Sequence, residues 1–296
     1  MTSPEDKQPR DELVERGATA LTLPHAIAEI VRLSASETSS CAEVARLCEA
    51  DLALTGRLMA CVNSRLLGAR QPTRSVLQAT VWLGARRVRN LAIASHLTDL
   101  FAGIDAFYPI RGFWHHSFAV AEIARELADD PVLPPEDVYL AGLLHDIGQP
   151  LFSGLEPTKY RTVMEVASRR VPVEAEVKQF GRNHAEFGAR CIQNWGLPEV
   201  LCEAIASHHD GRPDAPSVPE SGLATILRQA DRIAWDYGRG LRSGEGGSFR
   251  GTKVSAKRVP ISSCLRDAQQ VERLFSILPG PTQAFPGDGP LVVARS

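Results

Sequence analysis

The sequence predicts an all-α protein, and three observations carry that expectation. Apolar residues recur at intervals of three and four from about residue 23 to residue 238. Proline, glycine and short polar runs cut this pattern into helix-sized lengths. No stretch alternates apolar and polar residues as a half-buried strand would.

The elements follow in order. Residues 1–20 are polar and read as a flexible N-terminus. An N-terminal helical lobe is expected over residues 21–105. Ile27, Ile30, Val31 and Leu33 form one apolar stripe. Ser39 or Ser40 can cap a helix carrying Val44, Leu47 and Cys48, and Asp51 can cap the next, with Leu54, Leu58, Cys61 and Val62. Gly68 to Pro72 breaks the pattern, and helix resumes through Val76, Val81 and Leu83, then from Gly84 to about Phe101.

A second helical block is expected over residues 106–240. One helix runs from about Gly112 to Leu127. Pro135 suits the first turn of the next, which carries His145 and Asp146 toward its end and is stopped by Gly148 and Pro150. Helices are expected over 157–170 and 172–180. Asn183 and Glu186 resemble a capping box for a helix to Trp195. Pro198 opens a helix to His208, and 221–238 is helical with Asp231 in its middle. Residues 241–296 read as loop, a short helix over 265–278 and a mobile C-terminal tail.

Composition narrows the function classes. In 296 residues, 44% are apolar and 23% charged, with a formal net charge of −2. That is an ordinary globular balance, and no global charge points to nucleic acid or membrane. Charges interrupt every apolar stretch well before 18 residues, so no transmembrane helix is expected. The start, Met1 to Lys7, lacks the apolar core of a signal peptide, and a cytoplasmic location is expected. Six scattered cysteines (Cys41, Cys48, Cys61, Cys191, Cys202 and Cys264) form no Cys-x-x-Cys pair. They read as small core residues in a reducing compartment.

Five of the eight histidines stand in one ordered series with two aspartates: His116, His145-Asp146, His184, His208-His209 and Asp231. Imidazole nitrogen and carboxylate oxygen hold borderline divalent metals such as Fe, Mn, Zn or Ni. Seven such groups exceed what one ion needs, and a carboxylate can bridge two. Asp146, beside His145, is the natural shared ligand, and two ions about 4 Å apart can clamp a phosphate. Helices crossing in a bundle can bring all seven groups to one interior.

Between Leu52 and Thr98 lie seven arginines (Arg57, Arg65, Arg70, Arg74, Arg86, Arg87 and Arg89) and no acidic residue. Arg86, Arg87 and Arg89 are a candidate face for an anion or an acidic partner, with a solvated helical surface as the plainer reading. The paired helices at 39–50 and 52–63 invite a helix-turn-helix reading. The second has only Arg57 and Arg65 near its polar face, which argues against sequence-specific DNA binding.

The series His116, His145-Asp146 and Asp231 resembles the HD superfamily of metal-dependent phosphohydrolases. His184 and His208-His209 are similar to the additional ligands of its HD-GYP branch, which hydrolyses cyclic di-GMP. More closely, the chain resembles the HDOD domain, a bacterial signalling relative. The matching residues cover about 20 to 235. They include Leu23-Pro24, Asp51 to Thr55, Arg57-Leu58, Leu83-Gly84, Arg89-Asn90-Leu91 and Phe113 to Ser117. Further on come Ala141 to Gly148, His184 to Ala189, Trp195 to Pro198, Ala204-Ile205 and Ala230-Asp231.

The resemblance implies a helical N-terminal lobe packed on an HD-type metal-site lobe. It implies a regulatory role, with a metal site of two ions, acting through a signalling partner protein or a nucleotide. The alternative is a phosphohydrolase, with Asp146 and Gln149 as candidate catalytic positions and Arg212 as a further phosphate contact. Where HD-GYP enzymes carry lysine after His-Asp-x-Gly, this chain has Gln149. Where they carry a Gly-Tyr-Pro loop, it has Asp210 to Pro213. Both departures count against cyclic dinucleotide hydrolysis.

Overall fold

The computed structural model describes residues 8–36, 40–63, 72–104, 107–128, 133–166, 173–209 and 222–236. Among them the regular structure is helical throughout, as the periodicity predicts. The expectations for 1–7 and 237–296, including the helix at 265–278, fall outside the described residues. So do Arg65, Arg70 and Arg212.

Helices α2 (His25–Ser34), α3 (Cys41–Glu49), α4 (Leu52–Val62), α5 (Val76–Leu83) and α6 (Ala85–Phe101) pack on one another. The expected caps form. Ser40 Oγ accepts from the Ala42 amide at 3.1 Å while Glu43 accepts from the Ser40 amide at 3.2 Å. Asp51 Oδ1 accepts from the Leu54 amide at 3.0 Å. Each satisfies an amide that the helix itself leaves without a partner. Gly84, at φ +81°, turns α5 into α6 in a conformation that glycine adopts without strain.

The remaining helices build around α7 (Ile110–Leu127), whose Phe113, Phe118, Val120 and Ile123 are buried. It packs on α8 (Pro135–Leu144) and α14 (Leu223–Asp236). Then come α9 (Gly148–Leu155), α10 (Pro157–Val166), α11 (Val173–Phe180), α12 (His184–Cys191), a 3₁₀ turn at Gln193–Trp195, and α13 (Glu199–Ser207). Phe152 of α9 stacks on both Phe180 of α11 and Phe187 of α12, with ring centroids 4.3 and 4.2 Å apart. That aromatic sandwich fixes α11 and α12 against α9.

Two expectations are corrected. The N-terminus is helical from Gln8 to Ala20 (α1) rather than flexible. Leu13 is buried, and Gly17 lies so close to α12 that a Cβ there would come 2.5 Å from Cys191 Sγ. Arg16 bonds Glu156 at 2.7 Å and the Leu155 carbonyl at 2.9 Å, and Trp195 donates its ring N–H to the Leu21 carbonyl at 2.9 Å. Second, Gly148 and Pro150 open α9 rather than stop the preceding helix, which ends at Leu144. Amides in a first helical turn have no partner inside the helix, so proline there loses no hydrogen bond.

Candidate metal centre

All seven donors predicted from sequence come from five elements that converge. His116 projects from α7. His145 and Asp146 occupy the tight turn between α8 and α9. His184 is the first residue of α12, His208 and His209 follow α13, and Asp231 lies on α14. Six of the seven are buried, and His209 is half-buried.

The donor atoms fall into two groups that share Asp146: His116 and His145 in one, His184, His208 and His209 in the other. Asp146 Oδ2 lies 3.3 Å from His145 Nε2 and 3.8 Å from His116 Nε2. Its other oxygen, Oδ1, lies 3.0 Å from His184 Nε2 and 3.6 Å from His208 Nε2. Asp231 Oδ1 joins the first group 3.1 Å from His116 Nε2. His209 Nε2 joins the second 2.9 Å from His184 Nε2.

Four of those six spacings fit a metal, while His116 and His208 stand wider from Asp146, at 3.8 and 3.6 Å. Two ligand atoms each about 2.1 Å from one ion stand roughly 3.0 to 3.4 Å apart at octahedral or tetrahedral angles. Ring orientation agrees. His145 and His208 each turn Nδ1 to a backbone carbonyl, of Gly142 and Ile205, at 2.7 Å. Each thereby aims Nε2 at Asp146, in a buried position that lacks hydrogen-bonding geometry. A nitrogen held in this way is oriented for an ion.

Two buried carboxylates, Asp146 and Glu176, set the electrostatics around His184. Burial opposes ionisation of Asp146, but the imidazoles of His145 and His184 outweigh it and hold the carboxyl well below its usual range. Burial likewise opposes charge on His184, yet Glu176 and Asp146 raise it to about 10. Burial and the adjacent His208 and His184 push His209 down to about 2. His209 is thereby held neutral, the form of imidazole that ligates metal.

Three neighbours carried no signal in the sequence series. Glu176 of α11 is fully buried and accepts from His184 Nδ1 at 2.6 Å. Trp235 of α14 packs beside the His116 ring, with centroids 5.3 Å apart. Tyr108 donates to Gln149 Oε1 at 3.4 Å. Gln149 itself is buried at the start of α9, its amide bonded to the Asp146 carbonyl at 2.9 Å.

The arginines of α6 stand elsewhere. Arg89 is buried and bonds Asp137 at 2.7 Å and Asn90 Oδ1 at 2.8 Å. Arg87 bonds Glu136 at 2.7 Å, and Arg86 lies 3.8 Å from Asp137. Arg89 thus ties α6 to α8 through a carboxylate and has no exposed group to offer, whereas Arg86 and Arg87 stay partly exposed beside the acidic first turn of α8. Arg57 is buried as well, paired with Asp99 and the Ser95 carbonyl. It therefore cannot reach DNA.

The model of the HDOD domain matches residues 21–211. The chain belongs to the HDOD family. An HDOD domain protein of unknown function from Geobacter sulfurreducens has a similar structure, at 27% identity and a TM-score of 0.62, over 89% of this chain and 93% of that one. In sequence, this HDOD chain is 26% identical over 212 residues to an uncharacterised protein of Treponema pallidum, covering 69% of this chain and 40% of that protein. It is 24% identical over 170 residues to ribonuclease Y of Deinococcus radiodurans, covering 57% of this chain and 22% of that protein. The HDOD chain thus spans two-fifths or less of either curated relative. Asp231 lies beyond the family match yet completes the first donor group.

Proposed function

We propose that this chain is a regulatory signalling domain built around a centre for two divalent ions. One observation carries the reading: the two oxygens of Asp146 face two separate sets of imidazoles. His116, His145, Asp146 and Asp231 would hold one ion, and Asp146, His184, His208 and His209 the other. The ions are Fe, Mn, Zn or Ni, the class that nitrogen and carboxylate ligands select. The domain acts by binding a partner protein or a nucleotide. The free state of the five described cysteines supports a reducing, cytoplasmic setting.

Two features favour regulation over turnover. Among the seven donors only His209 is more than marginally exposed. Gln149 has no charge to offer a phosphate, and Tyr108 already engages its oxygen. Phosphoester hydrolysis is the second reading, favoured by the complete donor set and the likeness to ribonuclease Y. A bound divalent ion supplies Lewis acidity and lowers the pKa of a coordinated water toward about 7. In that reading the chain's own residues hold the site: Asp146 joins its two halves, and Gln149 positions substrate from the start of α9.

Elemental mass spectrometry of the purified protein, after anaerobic loading with Mn or Fe, tests the reading. About two ions per chain are expected, and none in Asp146→Ala. A wild-type protein without metal after loading would overturn it. Turnover of RNA, cyclic dinucleotides or bis-p-nitrophenyl phosphate that Asp146→Ala abolishes would move the assignment to hydrolysis.

A further inference from the structure

The histidines of the centre are not all held alike behind their donor atoms. His145 and His208 rest their Nδ1 atoms on backbone carbonyls, each at 2.7 Å. His184 rests its Nδ1 on a carboxylate, Glu176 Oε2, at 2.6 Å. Glu176 projects from α11, one turn before Phe180, and is fully buried. Its Oε2 also accepts the His184 backbone N–H at 2.8 Å, and its Oε1 accepts the Tyr160 hydroxyl at 3.1 Å. A buried carboxylate is costly without such partners, so every lone pair used here fixes its direction.

We infer that Glu176 is a positioning residue for one metal position alone, the one formed by Asp146, His184, His208 and His209. It holds the proton on His184 Nδ1, leaves Nε2 as the donor, and makes that imidazole a stronger ligand. Tyr160 holds the carboxylate in turn, and the aromatic stack of Phe152, Phe180 and Phe187 keeps α11 and α12 in register for the contact. The inference rests on the two-ion reading and adds that Glu176 acts on one of the two positions.

The test titrates Zn into the full chain, followed by calorimetry and elemental analysis, in wild type, Glu176→Gln and His145→Ala. Outer carboxylate partners are worth about 10- to 100-fold in metal affinity. Glu176→Gln should weaken one Zn by that factor and leave the other as in wild type. The double variant with His145→Ala should retain no tight Zn. Equal weakening of both ions, or two ions at wild-type affinity, would overturn the inference while leaving the two-ion centre intact. A wild-type chain that binds no Zn, and no Mn or Fe after anaerobic loading, would overturn both. A second measurement needs no variant of Glu176. Imidazole NMR of the Zn-loaded wild type should show a strongly deshielded Nδ1 proton, absent in His184→Ala. Its absence from wild type would also overturn the inference.

Discussion

Gly148 stands where no side chain fits. A Cβ there would lie 2.8 Å from the carbonyl carbon of His184, and nearer still to its oxygen. This close approach of the α8–α9 turn to the start of α12 is what sets Asp146 Oδ1 3.0 Å from His184 Nε2. Gly148→Ala must push those two backbones apart. It should cost about 1–3 kcal/mol, the usual range for overpacking, and separate the two ligands. Denaturant midpoint and metal content, measured together, check it; a variant that keeps both at wild-type values would show that the approach is not needed. At this scale much of the centre was legible. The ordered histidines and aspartates name their own chemistry, because few other roles call for that series. Glu176 was not legible, since glutamate on a short amphipathic helix looks like any solvated charge. Its one signal is position: it shares the inward stripe with Phe180, four residues on.

Between elements, the contact of α6 with α8 rests on a buried polar clasp. Arg89 reaches Asp137 and Asn90, and Asn90 donates to the Glu136 carbonyl at 2.7 Å. Burial lowers the Arg89 pKa, and Asp137 opposes that shift. Removing one member of such a pair strands the other, at about 3–5 kcal/mol. Arg89→Ala should therefore lose stability of that order in equilibrium urea unfolding, whereas Arg87→Ala, at a half-exposed pair, should lose under about 1 kcal/mol. Equal effects would contradict the clasp. Sequence periodicity located these helices because their apolar stripes are clean. It could not pair α6 with α8, since the attraction between Arg89 and Asp137 spans 48 positions. It also misread Gly148 and Pro150, because both residue types serve at either end of a helix.

Over the whole molecule, the core includes thiols that burial keeps protonated. Cys48 and Cys191 are buried, and desolvation pushes each up to about 12, with Cys61 at about 11. A thiol whose folded pKa is raised contributes stability that is present below its unfolded value near 9 and is lost as pH climbs toward the folded one. Urea midpoints should fall between about pH 9 and pH 12, and Cys48→Ala with Cys191→Ala should flatten that decline. A decline of unchanged steepness in the double variant would assign it to other groups. The all-α class was legible at this scale, but α1 was not: its sequence is mostly polar, and it meets the core through Leu13, Val14 and the bare Gly17.

That last helix bears on how the molecule can be divided. Family likeness begins at residue 21, and α1 ends at Ala20. A chain trimmed to begin at residue 21 would keep all seven predicted ligands, yet would uncover Phe187 and Cys191 on the back of the helix that carries His184. Such a truncated product would present a fresh greasy stripe to its neighbours and invite precipitation during expression. The unit recognisable by kinship and the unit whose apolar faces are covered are thus different lengths of the same polypeptide.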